Sequence, residues 1–174
     1  MTNAVNNDII YSGGGKLKDL KVNTGGLRNE KPLMQKQIDE CIKYAIKLGM
    51  PQDKIQYEKN QGVAYWASFD RLIIGTDTYP LENVNVDTKS ANSRISWKGA
   101  IAHEIIGHRD AALKGWTQAD RLLEEAQASI RTARFTPDLS EVERITLLRD
   151  AINRLNKSGY VISEVKDLLH IKER

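Results

Sequence analysis

Residues 101–110, IAHEIIGHRD, hold two of the three histidines in this chain, with a glutamate directly after the first. His103 and His108 are five positions apart. Because an α-helix turns about 100° per residue, side chains five apart point about 140° away from each other. We therefore expect either a one-residue π-bulge that brings the two rings together, or two histidines with separate roles. Gly107, directly before His108, favours the bulge, since glycine tolerates a distorted backbone.

The surroundings of this stretch predict that Glu104 is at least partly buried. The apolar residues around it are Ile95, Trp97, Ile101, Ala102, Ile105 and Ile106. A buried carboxylate needs a proton, a partner or a metal. Two more carboxylates follow in EEAQAS, residues 124–129, within the next predicted helix. A catalytic zinc ion usually takes three protein ligands and leaves one position for water, so two histidines and one carboxylate would complete such a site.

The helical pattern distinguishes the two members of the glutamate pair. The apolar face of their helix is formed by Ala119, Leu122, Leu123, Ala126, Ile130 and Ala133. At about 100° per residue, Glu125 lies roughly 110° from the centre of that face and Glu124 roughly 150°. Glu125 is therefore better placed to reach a neighbouring helix. The alternative is a solvated glutamate pair on a helix surface, with the histidines as ordinary core residues.

HEIIGH resembles the His-Glu-x-x-His helix motif of zinc peptidases with one additional residue. Together with EEAQAS, it resembles the paired motifs of the dipeptidyl peptidase III family, in which a His-Glu-x-x-Gly-His helix precedes a Glu-Glu-x-x-Ala-Glu helix. The resemblance implies that His103, His108 and Glu125 bind zinc. It also implies that Glu104 is the general base and that Glu124 orients a histidine from outside the ligand set. The match covers about a dozen residues of the 174.

The chain departs from that family at Ser129, where the motif ends in an acid, and in the much shorter spacing between the motifs. It also resembles the compact metallopeptidase domains at the C-termini of bacterial polymorphic toxins. This second resemblance implies a toxin or effector domain that acts on a protein or peptide substrate and has a cognate immunity protein as partner. The glycine- and asparagine-rich head, residues 1–30, would then be a linker to a larger protein.

The composition is that of an ordinary globular protein, with 40% hydrophobic and 28% charged residues among 174. The net charge is +3, and its lysines and arginines are scattered, so no nucleic-acid surface is expected. Cys41 is the single cysteine, which excludes an intrachain disulfide and a four-cysteine zinc site. The sequence shows neither a signal peptide nor an apolar run that could span a membrane. We expect a cytoplasmic protein, or one delivered by a dedicated secretion system.

The pattern of elements predicts an α+β fold, with a flexible segment over residues 1–30 and a single zincin-like domain over residues 31–174. A helix is expected from Pro32 to Gly49. Three closely spaced runs, KIQYE, GVAYWASF and RLIIGTD, indicate a small antiparallel sheet. After a polar stretch, residues 76–94, further helices are expected at about Ser96–Lys114, Gln118–Arg134, Ser140–Gly159 and from Ser163 onwards.

The sequence leaves several roles open. RLIIGTD is either an edge strand that pairs with an extended substrate or a plain core strand. The helix after Ser140 is expected to bury one apolar face, formed by Val142, Ile145, Leu148, Ile152 and Leu155. The candidates for stabilising an oxyanion, by residue type alone, are Tyr79, Arg109, Tyr160 and His170.

The leading interpretation is a zinc-dependent peptidase. One alternative is a metal-dependent nuclease toxin, in which His103 and Glu104 serve phosphodiester cleavage. Another is a non-catalytic interaction module with a structural or degenerate site, an option that Ser129 leaves open.

Overall fold

The computed structural model describes residues 28–82 and 90–174. The predicted flexible segment therefore lies outside the described residues up to position 27, and so does the middle of the predicted polar stretch, residues 83–89. Within the described ranges, no helix combines the length and apolar character that crossing a membrane requires.

The described chain forms three strands and several helices, which confirms the predicted α+β class. The helices are α1 (Gln35–Lys47), α2 (Trp97–Ala102), a π-helical segment (His103–Arg109), α3 (Asp110–Leu113), α4 (Arg121–Phe135), α5 (Glu141–Ser158) and α6 (Ile162–Val165). Because α2, the π-helical segment and α3 follow each other without a break, they form one continuous helix, called here the motif helix. Counted in this way, the described residues contain the five helices that were predicted.

The sheet is mixed rather than antiparallel. Its strands are β1 (Ile55–Glu58), β2 (Ala64–Trp66) and β3 (Arg71–Gly75), in the order β1-β3-β2. β2 and β3 pair antiparallel as predicted, but β1 runs parallel to β3. The chain after β1 crosses the end of β3 before it enters β2, and it passes so close that a Cβ on Gly75 would lie 2.2 Å from the Gln61 carbonyl oxygen.

This strand order also decides the role of RLIIGTD. β3 is the central strand and has a partner on each side, so its backbone cannot pair with a substrate. The interpretation of this run as a substrate-binding edge strand is therefore wrong, and it is a core strand. Leu72, Ile73 and Ile74 have at most 1% of their surface exposed.

The motif helix lies at the centre of the molecule. Its π-helical segment contacts β2 on one side and α4 on the other, and α4 in turn packs against α5. One apolar cluster joins α1, the sheet and the motif helix, and a second joins α4, α5 and the C-terminal residues. Ile101, Ile105 and Ile106 are fully buried, as expected for a helix that is covered all round.

The buried face of α5 differs from the predicted one. The helix begins with a capping box of Ser140 and Glu143 and ends at Gly159, in line with the predicted range. Val142 and Ile152, however, are 74% and 51% exposed. The buried residues are Leu147, Asp150, Ala151, Arg154 and Leu155, so of the predicted face only Leu155 is buried. Asp150 and Arg154 can be buried because they form an ion pair with each other, and Arg154 also lies 3.3 Å from Glu125 of α4.

The start of the described chain is packed against the domain. Arg28 is buried, and its guanidinium donates hydrogen bonds to the carbonyl oxygens of Thr78, Asn92 and Ile95 at 2.8, 2.7 and 2.9 Å. These bonds join the two sides of residues 83–89, close to the start of α2.

Candidate metal centre

The five-residue spacing of the two histidines is accommodated by a change in helix type. Residues His103–Arg109 form a π-helical segment, which confirms the predicted bulge. In a π-turn the hydrogen bond spans five residues, so side chains five apart lie on the same side. The Nε2 atoms of His103 and His108 are 3.2 Å apart, and the rings meet edge to face with centroids 4.8 Å apart.

Gly107 serves this arrangement through its size. A Cβ at this position would lie 2.8 Å from the Cβ and the carbonyl oxygen of Ala128, and 2.9 Å from its Cα. The motif helix and α4 therefore cross with their backbones almost in contact, which only glycine permits. Glu125 precedes Ala128 by three residues, about one turn of α4, so the same crossing brings the Glu125 side chain to the histidines.

The Glu125 carboxylate lies close to both histidine rings. Its Oε2 lies 3.2 Å from His103 Nε2 and 3.8 Å from His108 Nε2. With Zn–N bonds of about 2.0–2.1 Å, tetrahedral ligand atoms are about 3.3–3.4 Å apart. The three separations, 3.2, 3.2 and 3.8 Å, are close to that value. The donor types and their spacing thus fit a divalent metal ion.

Glu104 is buried beside the two histidines. Its Oε2 accepts a hydrogen bond of 2.8 Å from the backbone N–H of Tyr65 in β2. Burial raises the pKa of the Glu104 carboxyl above its ordinary value, against the opposing charges of His108 and His103. Ligand atoms of His103, Glu104 and His108 all lie within 4.8 Å of one another, so this group could hold a metal ion.

The charges around the two rings favour a cation between them. Counted as ionised groups, Glu104, Glu125 and Asp150 bring three negative charges, and Arg154 one positive charge, which leaves two negative charges unbalanced. Burial alone would raise the pKa of Glu125. The charge of Arg154 and the contacts with both histidine rings outweigh this effect and hold the pKa of Glu125 well below its ordinary range.

The excess of negative charge raises the pKa of His108. Burial lowers its pKa, but the bond to Glu125 and the charges of Glu104, Glu125 and Glu124 outweigh that effect and raise the pKa to about 9. At neutral pH a proton on His108 therefore supplies part of the positive charge in the metal-free protein. A metal ion would have to displace that proton.

Glu124 lies further from the rings than its neighbour. Its Oε1 is 4.0 Å from Nδ1 of His108, and its side chain is 32% exposed against 21% for Glu125. The order of the two glutamates matches the prediction from the apolar face of α4. The predicted role of Glu124 in orienting a histidine stays a prediction.

The structure adds Asp150 and Arg154, which sequence analysis did not single out, and it places Ser129 between His103 and Asp150. His103 Nδ1 is 3.3 Å from the hydroxyl of Ser129, which donates a 2.8 Å hydrogen bond to Asp150. Arg154 donates a 2.7 Å bond to Asp150 and lies 3.3 Å from Glu125. The sequence contains one indication of their burial: Asp150 and Arg154 are four positions apart, on the side of α5 that also carries Ala151 and Leu155. Val142, Ile145 and Ile152 suggested a different buried face, but these three residues are exposed.

Three of the four candidates for an oxyanion donor are engaged elsewhere. Arg109 donates to both carboxylate oxygens of Asp70 at 2.6 and 3.0 Å. Tyr79 stacks on Trp97, with its hydroxyl 3.5 Å from Glu40. The His170 ring stacks on Trp116 with centroids 4.7 Å apart, and Tyr160 is 37% exposed. None of these contacts involves His103, Glu104 or His108.

Comparison with protein-family models, with curated proteins and with solved structures found no match to this chain. The function of the protein is therefore indicated by the site. That site is a His-Glu-His group, two members buried and one half-buried, in a helix that a π-turn adapts to bring them together.

Proposed function

We propose that this protein is a zinc-dependent peptidase in which His103, His108 and Glu125 hold the ion. The observation that carries the proposal is the convergence of three ligand atoms from two helices, at separations of 3.2, 3.2 and 3.8 Å. Two nitrogens and one carboxylate oxygen are a common ligand set of catalytic zinc sites with an open position for water. The resemblance of HEIIGH and EEAQAS to the dipeptidyl peptidase III motifs supports the same set.

Glu104 is the proposed general base. When bound, zinc lowers the pKa of water from about 15.7 towards about 7 and polarises a carbonyl oxygen. Glu104 takes the proton of the attacking water and passes it to the leaving amine. Its buried position supports this role, because a carboxylate with a raised pKa accepts a proton more readily. The N–H of Tyr65 holds one carboxylate oxygen and thereby fixes the direction of the other.

Zinc binding is the first test. Protein purified without a chelator is expected to contain about one zinc ion per chain, measured by elemental analysis. His108→Ala and Glu125→Gln are each expected to weaken zinc binding by more than about 100-fold, since each removes one of three ligands and second-layer partners alone are worth about 10–100-fold. Glu141→Gln, the same chemical change on an exposed turn of α5, serves as the control and should bind zinc like the wild type.

The ligand assignment fails if Glu125→Gln retains zinc at wild-type affinity. The metal proposal as a whole fails if the wild-type protein neither contains zinc nor gains thermal stability when zinc is added. Either result is read without an activity assay, so an unknown substrate preference does not affect it.

The reaction class needs a separate measurement. Casein, DNA and RNA are each incubated with the zinc-loaded protein, with and without a chelator. We expect cleavage of casein that the chelator abolishes, and no cleavage of either nucleic acid. Chelator-sensitive cleavage of DNA or RNA, with casein intact, would instead establish the nuclease alternative. The toxin role, the cognate immunity protein and delivery within a larger chain stay predictions from the sequence.

A further inference from the structure

We propose that Ser129 and Asp150 are positioning residues that fix the His103 ring through a relay, with Arg154 linking the relay to Glu125. This inference rests on the proposed function for its meaning in catalysis. The hydrogen bonds themselves can be tested in the metal-free protein.

The relay joins three elements through buried atoms. It begins at His103 in the motif helix, continues through Ser129 in α4 and ends at Asp150 in α5, with separations of 3.3 and 2.8 Å. The three residues are 7%, 0% and 3% exposed, so water does not compete for these bonds. A buried hydrogen bond to a charged group is among the stronger ones in a protein.

The hydrogen atoms can be placed by elimination. An ionised carboxylate can only accept, so the single proton of the Ser129 hydroxyl is donated to Asp150. The hydroxyl oxygen can then only accept in its 3.3 Å contact with His103, so this contact is a hydrogen bond when Nδ1 carries the ring proton. This selects the tautomer in which Nε2 of His103 carries a lone pair. That lone pair lies on the side of the ring where Glu125 Oε2 and His108 Nε2 are each 3.2 Å away, so His103 would direct it at a cation shared with those two residues.

Arg154 ties this relay to the third ligand. Its Nε donates to Oδ2 of Asp150 at 2.7 Å, and its Nη1 lies 3.3 Å from Oε2 of Glu125. One guanidinium on α5 therefore holds both the end of the relay and the ligand on α4. The fixed planar fork of arginine suits it to such a double contact. Ser129 stands where the resembled motif has an acid, and here α5 supplies the carboxylate one hydrogen bond further away.

A purely structural role for the Ser129–Asp150 bond makes different predictions. A bond that only fastened α4 to α5 would contribute to stability but would not set the His103 tautomer or the metal affinity. Thr132→Val is the matched control, because it removes another buried hydroxyl of α4, whose hydrogen bonds go to the carbonyl oxygens of Ala128 and Ala102.

The first experiment uses nitrogen NMR of the metal-free protein, at a pH at which the His103 ring is neutral. We expect the Nδ1–H tautomer in the wild type and in Thr132→Val, and a mixture of tautomers in Ser129→Ala. An Nε2–H tautomer in the wild type, or an unchanged tautomer in Ser129→Ala, overturns the proposal. This measurement decides the matter even if the protein proves not to bind zinc.

The second experiment measures zinc affinity by competition with a chelator. Ser129→Ala and Asp150→Asn are each expected to weaken binding about 10–100-fold, the usual effect of losing a partner behind a metal ligand. Ser129 and Asp150 act in series, so their effects should not add. The double variant should therefore bind zinc only slightly more weakly than the single variant with the lower zinc affinity. If Asp150→Asn does not fold, Ser129→Ala alone carries the test. Wild-type affinity in a folded Ser129→Ala variant overturns the relay while leaving the zinc site intact.

Discussion

Replacement of Glu104 by glutamine is expected to abolish peptide hydrolysis while zinc remains bound. Glutamine is close in size, and its side-chain oxygen can still accept the hydrogen bond from the Tyr65 N–H. It cannot take a proton from water. Because general bases contribute about 10²–10⁴-fold to enzymatic rates, we expect the rate of casein cleavage to fall at least that far.

The same variant separates two ways in which this site could hold a metal. Glu104 lies with His103 and His108 within 4.8 Å, so it could itself be a ligand. The position of Glu125 Oε2, 3.2 Å from one ring nitrogen and 3.8 Å from the other, favours Glu125 in that role. Retained zinc with lost activity in Glu104→Gln, beside lost zinc in Glu125→Gln, would establish our assignment. Lost zinc in Glu104→Gln would show that Glu104 is a ligand, and retained activity would show that it is not the base.

Replacement of Gly107 by alanine is expected to destabilise the metal-free protein by about 3 kcal/mol, the upper end of the usual range for an overpacked core. The added Cβ would lie 2.8 Å from the Ala128 carbonyl oxygen, and backbone cannot turn aside as a flexible side chain can. Helix propensity predicts the opposite sign, since alanine in a helix is favoured over glycine by roughly 0.5–1 kcal/mol. Urea unfolding followed by circular dichroism measures the difference.

Gly99→Ala is the matched control for this prediction. Gly99 belongs to the same continuous helix, but a Cβ there would first meet the side chain of Ile95, at 3.0 Å. A side chain can shift by the few tenths of an ångström required, so we expect a change within about 1 kcal/mol. If Gly107→Ala were as stable as Gly99→Ala, the close crossing of the motif helix and α4 would not be present in solution.

The histidine spacing shows how far local sequence can reach. Two side chains five positions apart cannot converge on a regular α-helix, so a metal site formed by both histidines of HEIIGH requires a π-turn. The structure has this π-turn. The choice of Glu125 over Glu124 likewise followed from the apolar face of a single helix. Both inferences needed only the geometry of one element and the positions of its own side chains.

The errors concern relations between elements. Closely spaced strands suggested a meander, but strand spacing contains no information on whether the chain crosses the end of β3 at Gly75. On α5, apolar residues pointed to one face while the structure buries another, because Asp150 and Arg154 neutralise each other there. Asp150 and Arg154 also contact Ser129 and Glu125 of α4, and a pattern within α5 contains no information on those contacts.

The sequence by itself determined the α+β class, the helix that carries the histidines and the distortion that lets them meet, because periodicity and spacing act within one element. Tertiary structure alone decided how the site is completed. The reason for Gly107 is the backbone of α4 beside it, and the support behind His103 comes from Ser129 and Asp150 on two further helices. Such contacts depend on how helices cross, which is set by the packing of the whole core and not by any single stretch of chain.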